Sequence, residues 1–105
     1  MSVDPSCKEE AERFRLEGKS HYERNEFEEA IQKYIQAGEL YRSCGSEEWE
    51  AKMWGNVALM HMKLNQPTIS LEYANRAVEM SPLNSKAYYR RAQALEHVNE
   101  YVGQC

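Results

Sequence analysis

Apolar side chains along this chain, among them Tyr22, Phe27, Ile31, Tyr34 and Leu40 in the N-terminal half, recur at helical rather than alternating spacing. Strict alternation of apolar and polar residues, the mark of a half-buried strand, is not sustained anywhere. The pattern predicts five helices and no strand. The first spans about 6–24 and ends at Asn25, a residue type that tolerates helix-terminating geometry. The second spans about 27–42 and ends at Ser43-Cys44-Gly45-Ser46, where Gly45 can adopt the left-handed conformation that closes a helix. Ser46 then stands as N-cap of a third helix, with Glu47 and Glu48 in its positive first turn, and this helix reaches about Leu64. Pro67 fits the first turn of a fourth helix, where its missing N–H costs nothing. That helix runs to about Met80, and Ser81-Pro82 stops it. The fifth starts near Asn84 and ends near Val98-Asn99-Glu100, leaving only Tyr101 to Cys105 beyond it.

Helix pairs joined by short turns invite a test for internal repeats. Gly18, Ala58 and Ala92 superpose as one small position. Each has a bulkier residue four places earlier (Phe14, Trp54, Tyr88) and an asparagine seven places later (Asn25, Asn65, Asn99). After Gly18, Ala30, Tyr34 and Ala37 follow at offsets 12, 16 and 19; after Ala58, Ser70, Ala74 and Ala77 stand at the same offsets, and Pro82 at 24. The step from Ala58 to Ala92 is 34 residues and that from Gly18 to Ala58 is 40.

This pattern resembles the tetratricopeptide repeat (TPR). The resemblance implies an all-α fold: a right-handed superhelical stack of antiparallel helix hairpins, five helices in about two and a half repeats. The small residues let helices approach closely, and the large ones fill the spaces between. On this reading residues 1–105 form a single domain: repeat one at about 11–44, an insertion at about 45–50, repeat two at about 51–84, and a partial third repeat at 85–105. The six inserted residues lengthen the second helix or the one after it, as in the TPR domains of immunophilin co-chaperones. Terminal repeats normally need a cap with a polar outer face. The outer side of the fifth helix, with Tyr89, Leu95 or Val98, is expected to lack its cover. Several hundred Å2 of bare apolar surface, at about 25 cal/mol per Å2, is a liability of several kcal/mol. The expectation is therefore a fragment or short isoform of a longer protein, or self-association over that face.

Composition narrows the function. The chain has 105 residues, 29% charged and 42% hydrophobic, with a net charge of -4. That balance argues against generic binding to nucleic acid or an anionic membrane, so any anion site must be a local patch. Three cysteines, Cys7, Cys44 and Cys105, form no C-x-x-C, and free thiols in a reducing compartment are expected, with Cys105 open to intermolecular oxidation. No leader-like or membrane-spanning apolar run is present, and a cytoplasmic or nuclear protein is expected. His21, His61 and His97 lie too far apart in sequence, without nearby cysteine, to suggest zinc, and read as helix-packing residues. No phosphate loop occurs. No cofactor, metal site or catalytic constellation is expected.

The candidate chemistry is cationic. Lys86 and Arg90 are four residues apart on the fifth helix, as are Arg15 and Lys19 on the first, and such pairs share a helix face. The third helix offers Asn56. In a TPR stack these three helices line the concave groove. The set resembles the two-carboxylate clamp of co-chaperone TPR domains, which grips the terminal Asp of chaperone tails ending in Glu-Glu-Val-Asp. The resemblance assigns Asn56, Lys86 and Arg90 outright. Arg15 stands where the family usually has Lys and keeps the charge; Lys19 stands where it usually has Asn, a departure. Arginine offers a planar fork for a carboxylate, lysine a point charge, and asparagine an orienting donor without charge. Upstream ligand residues are expected near Tyr22, Leu59, Met62, Tyr89 and Gln93. The implied function is a non-enzymatic adaptor for a heat-shock chaperone tail. Its rivals are a TPR scaffold with another partner or with itself, and the targeting domain of a larger isomerase or phosphatase. Trp49, in the insertion, either caps the groove or covers a helix end.

Overall fold

A computed structural model describes residues 5–103 of the chain, and the side chains of residues 6–100. The described residues form five helices and no strand: α1 (Pro5–Glu23), α2 (Phe27–Ser43), α3 (Glu47–Lys63), α4 (Pro67–Met80) and α5 (Ser85–Gly103). Each helix packs along its successor, and α3 also touches α5, as a stack of helix hairpins requires.

The first three helices end in one way. Asn25, Gly45 and Asn65 adopt positive φ of 61°, 76° and 58°. The next residue's N–H then turns back to a carbonyl five positions earlier: Glu26 to His21 at 2.8 Å, Ser46 to Tyr41 at 2.9 Å, Gln66 to His61 at 2.8 Å. This geometry satisfies carbonyls that a helix end leaves orphaned. Ser46 is the N-cap residue of α3, but its side chain makes no capping bond. Asn84 does cap α5: its side-chain oxygen accepts from the N–H groups of Lys86 at 3.0 Å and Ala87 at 3.3 Å. α5 runs on to Gly103 rather than stopping near Glu100, because no glycine or proline intervenes after Ser85.

Small residues set the helix spacing. Ala30, Ala37, Ala58, Ser70, Ala74 and Ala77 are fully buried, and the Ser70 hydroxyl donates to the Ala58 carbonyl at 2.7 Å between α4 and α3. Trp54, Met53 and Met60 fill the interior, and Tyr34 lies over Gly18. The six inserted residues are shared between two helices. α2 has 17 residues against 14 in α4, its counterpart. α3 starts at Glu47, four places before residue 51, the position one 34-residue repeat upstream of the start of α5 at Ser85. In the third unit the corresponding small residue, Ala92, is exposed, as are Tyr88, Tyr89 and Leu95, while Val98 is half-buried.

One expectation is corrected. Cys7 and Cys44 are not free thiols; they form a disulfide across 37 residues, with Cα atoms 6.1 Å apart. The hairpin of α1 and α2 brings the first turn of α1 beside the C-cap of α2, so two cysteines with no sequence signature become neighbours. Cys105 lies outside the described residues.

Candidate functional site

The helix stack leaves an open groove of about 910 Å3 on one side of α1, α3 and α5. Arg15 enters from α1, Trp49, Lys52, Met53 and Asn56 from α3, and Lys86, Ala87 and Arg90 from α5. The turn before α5 adds Leu83, Asn84 and Ser85. Four cations thus face one acidic lining residue, Glu48, in a chain whose net charge is -4. The positive end of α5 opens on the same space, adding partial charge of the same sign.

Of the five sequence-predicted cationic and orienting residues, Arg15, Asn56, Lys86 and Arg90 line this one groove; Lys19 is exposed and does not. None of Tyr22, Leu59, Met62, Tyr89 and Gln93 lines it either. Tyr22 and Leu59 pack against the core, and Tyr22 lies 6.2 Å from the Phe27 ring. Met62 is half-buried and Tyr89 is 59% exposed. Gln93 accepts a hydrogen bond from Arg90 Nη1 at 3.2 Å and so steadies a lining cation from one turn away.

The lining cations differ in how firmly they are held. Arg15 is half-buried, pairs with Glu12 at 3.0 Å, and carries its guanidinium 5.1 Å from the Trp49 ring centre. Its Nε is the one buried side-chain nitrogen or oxygen without a hydrogen-bond partner among the described residues. Lys52 Nζ sits 4.2 Å from the same ring and 3.5 Å from Glu48. Trp49 itself stacks on Tyr41, with ring centres 5.7 Å apart. The extra turn of α3 therefore places an aromatic post between two cations. Among the described residues neither Lys86 nor Arg90 pairs with a carboxylate.

That turn is anchored from below. Glu50 is 1% exposed and accepts from Trp54 Nε1 and from Arg42 Nε, each at 3.0 Å. A buried carboxylate with two donors is satisfied, and it ties α3 to the end of α2. The histidines serve the fold as well: His21 bonds Glu26 and His61 bonds Gln66, each at 2.7 Å, at matching places in two repeats. The His21 hydrogen bond, with Arg24 beside it, holds the Glu26 carboxyl below its usual range. Among the described residues no group of three metal-ligating side chains stands together, and no helix is long and apolar enough to cross a membrane.

Sequence reasoning missed Lys52, although a signal was present. Lys52 and Asn56 lie 34 residues before Lys86 and Arg90, so both pairs occupy one repeat position; Trp49 and Leu83 are related likewise. Equivalent positions on successive lining helices face the same groove.

No protein-family model matches the chain. It is 31% identical over 93 residues to the "Heat shock protein sti1 homolog" of Schizosaccharomyces pombe, a match covering 89% of this chain and 14% of that protein. It is also 30% identical over 91 residues to "Protein unc-45 homolog B" of Mus musculus and to that of Homo sapiens, covering 87% of this chain and 10% of each. The chain thus spans only a small part of the length of the curated relatives it matches.

Proposed function

As a member of the tetratricopeptide-repeat family the chain is a protein-interaction module, and we propose that its groove grips the C-terminal carboxylates of an acidic peptide, the tail of a heat-shock chaperone. One observation carries this reading: Arg15, Asn56, Lys86 and Arg90, from three helices, line a single cavity. The similarity to a protein named as a heat shock protein supports the choice of partner.

The proposed chemistry follows from the residue types. A terminal Asp offers two carboxylates within one residue. Lys86 and Arg90 neutralise one, Arg15 the other, and the Asn56 amide orients them. Each charge-assisted hydrogen bond contributes roughly 1.5–3 kcal/mol net. A few of these, less the cost of ordering a flexible tail, give an affinity on the order of 1 μM, about 8 kcal/mol. Lys19, outside the groove, is proposed to add only long-range attraction. The reading is of a non-enzymatic adaptor, cytoplasmic in setting. Neither Cys7 nor Cys44 lines the groove, so binding is expected to survive reduction of their disulfide.

The experiment is a titration of Lys86→Ala and Arg90→Glu with a peptide ending in Met-Glu-Glu-Val-Asp. Each change is expected to weaken binding at least tenfold, and wild-type binding is expected to fall with added salt. Unchanged affinity in both variants contradicts the proposal.

A second reading rests on the outer face of α5. Tyr88 and Leu95, on one side of that helix, are 41% and 42% exposed, and Tyr89 is 59% exposed. On this reading the module also associates with another copy through that face.

A further inference from the structure

We infer that Lys52 determines specificity in the groove: it takes an acidic side chain of the ligand that lies upstream of the terminal residue. This rests on the carboxylate-binding reading and adds a second anion to it.

The argument begins with position. Lys52 lines the groove from α3, whereas Lys86 and Arg90 line it from α5. A terminal residue held by Lys86, Arg90 and Asn56 leaves Lys52 available for a different group. A groove of about 910 Å3 also has room for more than one residue. Lys52 is the repeat equivalent of Lys86, so the stack presents the same cation twice along the lining.

Two neighbours prepare Lys52 for exchange. Trp49, 4.2 Å away, attracts the ammonium by its ring face and so restrains a long side chain that would otherwise lose more freedom on binding. Glu48 is its carboxylate partner at 3.5 Å, with side chains 41% and 73% exposed. An exposed pair of this kind is weak and readily replaced. Glu48 occupies, from within the chain, the place that a ligand carboxylate would take. The ligand class that satisfies both ends of the groove is therefore a C-terminal peptide with a free terminal carboxylate and at least one further Asp or Glu before the last residue.

The test compares two free-acid peptides, Met-Glu-Glu-Val-Asp and Met-Gln-Gln-Val-Asp, on the wild-type chain and on Lys52→Met, Lys52→Arg and Glu48→Gln. The wild type is expected to prefer the Glu peptide about tenfold. Lys52→Met should reduce that ratio to below about twofold and leave affinity for the Gln peptide nearly unchanged; Lys52→Arg should keep the ratio. Glu48→Gln should tighten binding of the Glu peptide two- to threefold. An unaltered Glu/Gln ratio in Lys52→Met, with the free acid still strongly preferred over its amide, overturns this inference alone. Equal wild-type affinity for acid and amide overturns the carboxylate reading and this inference with it.

Discussion

Gly38 lies directly beneath the indole of Trp54: a Cβ built on Gly38 would stand 2.8 Å from Trp54 Cη2. The ring cannot easily move, since it is 2% exposed and its Nε1 is bonded to the buried Glu50. Gly38→Ala gains about 1 kcal/mol of helix propensity but forces overpacking that costs typically 1–3 kcal/mol. The expected net loss is about 1 kcal/mol, rising to about 3 kcal/mol for Gly38→Val, read from the urea midpoint. A stability gain in Gly38→Ala would contradict the close approach.

The Cys7–Cys44 disulfide closes a span of 37 residues. Chain-entropy arguments assign about 4 kcal/mol to such a loop, and native links commonly contribute about 2–5 kcal/mol. Reductant, or Cys7→Ser with Cys44→Ser, is expected to lower stability by about 2–4 kcal/mol while leaving the helical circular-dichroism spectrum intact. An unchanged unfolding midpoint in reductant would count against a formed disulfide.

Tyr34 carries a pH dependence. Burial pushes its phenol above the ordinary value of 10.0, with Arg15 pulling the other way and Tyr22 and Glu23 adding to the rise. The unfolded chain therefore releases this proton first as pH rises. Its contribution to stability is whole below about pH 10 and is lost progressively as pH climbs from there toward the raised folded value. Stability measured from pH 9 to 11 should decline with a slope that Tyr34→Phe reduces. An identical slope in the variant would remove Tyr34 from the account.

The bare face of α5 predicts association. Light scattering should show a mass that grows with concentration, and Tyr88→Glu with Leu95→Glu should return it to the monomer. A wild-type monomer at all concentrations, with no binding of an apolar dye, would contradict the second reading.

The sequence announced most of the fold because its punctuation is local. Asn25, Gly45 and Asn65 end helices by backbone conformation, and Pro67 opens one, so these boundaries need no knowledge of packing. The small residues at Ala30, Ala37, Ser70 and Ala77 were legible for a related reason: close helix approach excludes larger side chains at fixed offsets. Arg15, Asn56, Lys86 and Arg90 were legible because the resemblance to TPR domains implies which helices line the groove, and all four line it. What depended on the join between repeats was hidden. The extra turn of α3 brings Trp49 beside Arg15 and Lys52, and no repeat offset from α1 predicts that contact. The disulfide was equally hidden, since it joins opposite ends of a hairpin. Lys19 has the spacing from Arg15 that shares a helix face, but it is exposed and is not among the residues lining the groove.

The central claim is that the groove recognises a free terminal carboxylate, and calorimetric titration of one peptide in two forms tests it most directly. The account predicts that Met-Glu-Glu-Val-Asp binds with micromolar affinity as the free acid and at least tenfold more weakly as the C-terminal amide. Equal dissociation constants for acid and amide would contradict it.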